Sequence, residues 1–190
     1  MKFNVGCGWR DFGKDWIHID AGDYEHLQST DIYMKDYKDD CADLISASHV
    51  IEYFDREEIV ELLECWKRVL KDGGILRVAV PDFTTMAVLY TEGDYSLNSF
   101  LGPLYGKMKM GDETIYHKTV YDFDTLSEVL QSNGFKEPKL YDWSKTEHSE
   151  FDDHSQAYIP HMDKENGTLI SLNVECVKWF HLIKNLYLFI

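Results

Sequence analysis

The 190-residue chain has no apolar run near the roughly 18 residues that a membrane-spanning helix needs. It shows no positively charged, apolar leader either, because a strand-like segment already begins at Lys2. These two absences predict a cytoplasmic protein with no membrane span. Basic residues are also few. Nineteen Lys and Arg stand against 34 Asp and Glu, a formal charge of −15, and such a field repels phosphate backbones and anionic surfaces, so nucleic acid is not expected as a partner. Cys7, Cys41, Cys65 and Cys176 are scattered without Cys-x-x-Cys spacing, which predicts free thiols in a reducing compartment. There is no internal repeat and no low-complexity linker. With 44% hydrophobic and 14% aromatic residues, the chain is long enough to bury one good core and too short for two, so residues 1–190 are expected to form a single domain.

What is present concentrates near the start. Lys2 to Val5 reads as a strand, Gly6-Cys7-Gly8 as a turn, and Trp16 to Ile19 as a second strand ending on Asp20. Two glycines directly after a strand let the backbone take positive φ and let a ligand approach without a Cβ in the way. An acid at the tip of the next strand can accept hydrogen bonds from both hydroxyls of a ribose. Together they predict an adenosine-containing cofactor. The link from Gly6 to Asp15 is too short for the usual crossover helix, and Trp9, Phe12 and Trp16 are expected to fill the space it leaves.

Farther on, Asp31-Ile32-Tyr33 is the best candidate for a short third strand, and Asp43 to Ser48 is another strand. Asp55 with Glu58 resembles a capping box, and Ile59, Leu62, Leu63, Trp66, Val69 and Leu70 follow a helical period that Gly73 and Gly74 end. Ile75 to Val80 is a strand stopped by Pro81, and Asp82 to Glu92 a helix. The glycine- and aromatic-rich segment 94–121 is too irregular for regular packing and reads as a substrate-side insertion. A helix capped by Asp124, a strand from Lys136 to Trp143 and an antiparallel partner from Thr168 to Val177 follow, with a second, polar insertion over 144–167.

Asn4-Val5-Gly6-Cys7-Gly8, Asp20, the run Asp43 to Phe54, and Arg68 to Leu76 together resemble the successive motifs of class I S-adenosylmethionine-dependent methyltransferases. More loosely, the rest of the chain is similar to small methyltransferases that accompany glycan-building enzymes. The resemblance implies a Rossmann-like α/β fold: a mixed seven-stranded sheet with helices on both faces and an antiparallel edge hairpin. It also implies roles. Gly6, Cys7 and Gly8 would line the methionine and ribose of S-adenosylmethionine, and Arg10 would face the methionine carboxylate. Asp20 would hold the ribose hydroxyls, Asp31 and Ile32 would flank adenine, and Ser48 and His49 would lie beside the sulfonium. In one departure from the pattern, Arg10 stands where a third glycine is usual.

Methyl transfer to an alcohol needs alignment, exclusion of water and a general base. His117, Asp82 and His154 are the candidates. The acids, histidines and aromatics of Phe151 to His161 suit a polyol, so a sugar or glycan hydroxyl is the expected acceptor. Their spacing matches no metal template, and no metal ligand is assigned; a divalent ion that lowers a sugar hydroxyl's pKa is the alternative. Another small metabolite as acceptor, methylated at oxygen or nitrogen, and a non-catalytic scaffold are the other readings. The apolar tail 178–190 would dock on its own domain, a second subunit or a neighbouring domain.

Overall fold

A computed structural model gives the fold of residues 1–93 and 95–179. All of the apolar tail beyond residue 179 lies outside the described residues. The elements in order are β1 (Lys2–Val5), β2 (Trp16–Ile19), β3 (Ala42–Ser48), α1 (Glu58–Val69), β4 (Leu70–Pro81), α2 (Phe83–Glu92), α3 (Leu101–Tyr105), β5 (Met108–Met110), β6 (Glu113–Ile115), α4 (Phe123–Ser132), β7 (Phe135–Leu140), β8 (Tyr158–Ile159), β9 (Thr168–Leu169) and β10 (Ser171–Lys178). Six strands form one sheet in the order β2-β1-β3-β4-β10-β7. The first four run parallel; β10 is antiparallel to both its neighbours. The expected mixed sheet is therefore present, with the antiparallel strand inserted beside β4 and β7 at the edge. No helix among the described residues is long and apolar enough to cross a membrane.

Helix α1 forms where the periodicity places it. Asp55 Oδ1 accepts from the backbone N–H groups of Glu57 and Glu58, and Glu58 Oε2 accepts from the N–H of Asp55; these bonds satisfy donors that a helix start leaves free. Ile59, Leu62, Leu63, Trp66 and Val69 are all buried against the sheet, each such side chain stabilising by about 1.5–3 kcal/mol. The helix stops at Val69 rather than at the glycines, and Gly73 (φ 74°) sits in the β4 backbone where its pairing with β3 shifts register.

Four expectations are corrected. The seventh strand is reduced to one parallel bridge, Ile19 to Ser29. Met34 and Asp40 have positive φ, which a strand does not accommodate. Moreover, α1 takes the carbonyls that pairing would need: Trp66 Nε1 donates to Ile32 O at 2.8 Å, and Arg68 donates to the carbonyls of Met34 and Tyr37. Helix α4 is capped by Asp122, not Asp124, through a reciprocal pair with Thr125. Segment 94–121 is more regular than expected, with α3 and the β5–β6 hairpin; Phe100 packs with Met86, Ile159 and Ile170 into a small second core. Phe12 and Trp16 fill the space beside the first strands, but Trp9 is two-thirds exposed.

Candidate active site

The turn after β1 is held by its backbone. Gly6 has φ 68° and Gly8 φ 56°; at Gly6 a Cβ would overlap Val50 Cγ2, so only glycine fits. The Gly6 N–H donates to Ile19 O at 2.7 Å, tying the turn to β2. Asp20, at the tip of β2, accepts from Gly8 N on Oδ2 and from Gly22 N on Oδ1, both at 2.7 Å. Each carboxylate oxygen keeps a further lone pair. Cys7 lies buried in the turn; burial, then the Asp20 charge, pushes its thiol up to about 12, so it is protonated and no nucleophile.

A narrow cleft at the carboxyl ends of the strands is lined by Asn4, Gly6, Cys7, Arg10, Phe12, Ser48, Asp153 and His154. Asn4 Nδ2 and Ser48 Oγ are buried there without a hydrogen-bond partner. Orphaned buried polar atoms cost stability unless something pairs with them, and the cleft, about 10 Å³ in volume, has room for one water-sized polar group to do so. Beyond Asp20, a second concavity of about 250 Å³ is lined by Gly22, Asp23, Tyr24, Leu27, Gln28, Ser29 and Thr30. Asp20 thus stands between the two hollows, bonded to the glycine turn on one side and to Gly22 on the other. Asp31 is engaged in its own turn, accepting from Tyr33 N and Lys35 N, while Ile32 offers its carbonyl to Trp66.

Three histidines distant in sequence gather beside the cleft. His49 directly follows β3, with φ 55°. Its Nδ1 is 3.5 Å from Glu52 Oε1, its Nε2 is 3.5 Å from Ser171 Oγ, and its ring centroid is 5.0 Å from that of His154. His117 Nδ1 is 2.9 Å from the Pro103 carbonyl and must donate to it, which leaves the Nε2 lone pair facing Glu52 Oε1 at 3.8 Å. Gly106 makes room for this ring: a Cβ there would overlap it, and the Gly106 carbonyl accepts from Tyr53 Oη. Burial holds His117 below its ordinary value and His49 well below; for His49 the neighbouring His154, His117 and Arg10 add to the effect. Burial and then Arg10 lower His154 to about 4. All three imidazoles are therefore neutral near pH 7. Glu52 is fully buried, neither of its carboxyl oxygens has a hydrogen-bond partner, and burial raises it to about 8.

The two remaining candidates do other work. Asp82 caps α2: Oδ1 accepts from Thr85 N at 3.3 Å and Oδ2 from Thr85 Oγ1 at 2.7 Å. Arg10 Nε donates to Asp152 O at 2.7 Å, and its Nη2 is 3.5 Å from His154 Nε2, so it ties the glycine turn to the second insertion. That insertion is further fixed where Ser155 O accepts from Asn173 Nδ2 and Asn173 Oδ1 accepts from Ser171 Oγ. Sequence reasoning missed Glu52, Asn4, Ser171 and Asn173. Of these, only Glu52 left a signal: an acid inside the apolar run Val50 to Phe54, three residues after His49. Among the described residues, no group of three or more His, Cys, Asp or Glu is arranged to hold a metal ion.

Residues 13–78 match a family model described as a methyltransferase domain. The fold is similar to that of a SAM-dependent methyltransferase from Archaeoglobus fulgidus, with TM-score 0.56 and 16% identity over 93% of this chain and 85% of the other. One from Methanosarcina mazei superposes with TM-score 0.56 and 14% identity over 94% and 92%. This chain has a SAM-dependent methyltransferase fold. The 1,6-didemethyltoxoflavin-N1-methyltransferase of Burkholderia thailandensis, solved with 1,6-didemethyltoxoflavin and S-adenosylhomocysteine, shares the fold as well, with TM-score 0.53 and 10% identity over 94% of this chain and 71% of its own. No curated protein matches the chain in sequence.

Proposed function

We propose that this chain transfers a methyl group from S-adenosylmethionine to a hydroxyl of a sugar or glycan. The observation that carries the cofactor reading is Asp20, a carboxylate with spare lone pairs standing between two hollows. One hollow, only about 10 Å³ as it stands and so required to widen for the amino-acid end, holds unpartnered Asn4 Nδ2 and Ser48 Oγ; the other is open enough for the adenosine end. Gly6, Cys7 and Gly8 would form the floor, Arg10 would meet the carboxylate, and Ser48 and His49 would face the sulfonium. Asp31 and Ile32 would edge the adenine with backbone and side-chain surface, since the Asp31 carboxylate is engaged. When bound, S-adenosylmethionine supplies an electrophilic methyl; the chain has to align the acceptor, keep water out and take up one proton.

For that proton His154 is favoured over the other candidates. It lines the cleft and is neutral at pH 7, and its Nε2, 3.5 Å from Arg10 Nη2 in the free protein, is released once Arg10 turns to the ligand carboxylate; His117 has one nitrogen on Pro103 and the other toward Glu52, and Asp82 is occupied with its helix. The acceptor hydroxyl's proton would pass to an imidazole nitrogen of His154 as oxygen bonds to the methyl. A polyol acceptor is supported by the polar second insertion, where Trp143 donates to Tyr158 Oη at 3.3 Å beside Asp152 and Lys164.

Calorimetric titration of S-adenosylmethionine and S-adenosylhomocysteine into the wild type and Asp20→Ala tests the cofactor reading. Micromolar binding that Asp20→Ala weakens at least tenfold, about 1.4 kcal/mol, is expected; no binding of either ligand to the folded wild type overturns it. Release of S-adenosylhomocysteine only with sugar acceptors supports the acceptor class, and release with non-sugar metabolites alone overturns it.

A further inference from the structure

We propose that Glu52 is a proton-release group that senses the charge of the bound cofactor: it gives up its proton when the cationic sulfonium form binds and keeps it when the neutral thioether product binds. This inference rests on the cofactor reading above. Its warrant is geometric. Glu52 is fully buried, and neither carboxyl oxygen is hydrogen-bonded. It stands directly behind His49, whose ring touches both the cleft-lining His154 and Ser171. A buried carboxyl without partners is costly to ionise, and a cation placed across one imidazole ring removes much of that cost. S-adenosylmethionine brings such a cation; S-adenosylhomocysteine does not.

Every titratable group facing Glu52 leaves it as the one able to change state near neutrality. His49, just after β3, and His117, from the first insertion, are held neutral by burial. Tyr53, next along the chain, is pushed up to about 12 by burial and by Glu52 itself, and burial raises Tyr121 in the same way, so both keep their protons. His154 and Arg10 reach only His49, the first already neutral and the second a fixed cation. Glu52, raised to about 8, is then mostly protonated at pH 7 before ligand binds. On binding of the sulfonium its O–H bond ionises, the proton leaves to solvent, and the carboxylate and sulfonium neutralise one another across His49. Methyl transfer discharges the sulfonium, Glu52 takes a proton back, and the product loses the attraction the substrate enjoyed. The consequence is discrimination for the charged donor over its product that grows with pH.

Titration calorimetry in two buffers of different ionisation enthalpy counts the protons released. Expected at pH 7 is more proton release with S-adenosylmethionine than with S-adenosylhomocysteine, by a margin that is larger in the wild type than in Glu52→Gln. The affinity ratio of donor to product should rise about tenfold between pH 6 and pH 9 in the wild type and rise less in Glu52→Gln. Any proton from the ligand's own amino group appears in both proteins and cancels. Carbon-13 NMR of Glu-labelled wild type supplies a second readout that needs no variant: one carboxyl should titrate near pH 8 without ligand and be ionised at pH 7 with S-adenosylmethionine. Equal proton release by the two ligands, a difference undiminished in Glu52→Gln, or a Glu52 carboxyl already ionised at pH 6 overturns the inference. In each of these outcomes both ligands bind, so the cofactor reading stands; absence of binding would overturn that reading instead.

Discussion

The glycine turn with Asp20 and the second insertion face each other across one cleft, yet they are built by opposite means. The turn is a backbone construction. Its shape comes from positive φ at Gly6 and Gly8 and from N–H groups donated to one carboxylate, and a ligand there would meet main chain. The insertion over 144–167 is a side-chain construction: His148 stacks on Phe12 at 4.5 Å, Asp153 accepts from Ser155, and Arg10 reaches across to the Asp152 carbonyl. A backbone site recognises what every cofactor molecule shares, while a side-chain site can be rewritten without disturbing the sheet. The contrast agrees with a constant donor on one side and a particular acceptor on the other.

The largest effect that would break this comparison is expected at Gly6. Gly6→Ala places a methyl group against Val50 and forces an L-residue into a left-handed conformation. Because the turn itself is the site, affinity for S-adenosylhomocysteine should fall about 100-fold, some 2.7 kcal/mol. Calorimetry reads the loss, and the double variant with Val50→Ala should recover only the steric part. Retention of full affinity would show that the backbone does not shape the cleft.

On the insertion side the expected effect is pH-dependent. Burial and then Arg77 lower His148 to about 4, and burial and Arg10 do the same to His154. A histidine whose folded value lies below its unfolded one contributes stability that is complete above about pH 6.5 and is lost as the pH falls toward 4. The buried His148 should therefore loosen the insertion over that window by about 2 kcal/mol or more, the exposed His154 adding little because solvent screens it, seen as faster hydrogen exchange over 144–160 than in β1 and β3. His148→Phe keeps the stacking and should remove that residue's share. Glu52 carries the opposite sign: its raised value contributes stability below about pH 4.5 that is lost as the pH rises through about 8.

The same division explains what could be read from the residues alone. Gly6, Gly8 and Asp20 are legible because a turn after a strand and an acid at a strand tip are local patterns, and α1 is legible because five core positions repeat at the helical period. Glu52 leaves only a faint signal, an acid in an apolar run three residues after His49, because its other histidine neighbour, His117, is 65 residues away and comes to it on an insertion with no period of its own. Asp31-Ile32-Tyr33 contains strand-forming residues, but the Ile32 carbonyl goes to Trp66, the Asp31 carbonyl accepts from Met34 N, and the carbonyls of Met34 and Tyr37 just beyond go to Arg68. Asp122 and Asp124 both precede the α4 pattern, and only the reciprocal bond with Thr125 decides between them. Local chemistry predicts turns, caps and amphipathic helices; the histidine cluster depends on which distant segments meet.

Asp82 gives the smallest and most discriminating test, because it lies outside both constructions, where β4 ends and α2 begins. Both its oxygens bond Thr85, and its N–H donates to Ile170 O. If it serves only as a cap, Asp82→Ala should cost about 1 kcal/mol of stability in chemical denaturation, and Asp82→Ser, which can still accept from the Thr85 N–H, should restore most of it. Binding of S-adenosylhomocysteine should stay within twofold of the wild type in both variants. A general base behaves differently: Asp82→Ser would then be as inactive with a working acceptor as Asp82→Ala, since a hydroxyl restores the cap and not the proton acceptor. Stability recovered together with methyl transfer assigns Asp82 to the helix and leaves the proton to the histidines of the cleft; stability recovered without it returns Asp82 to the reaction.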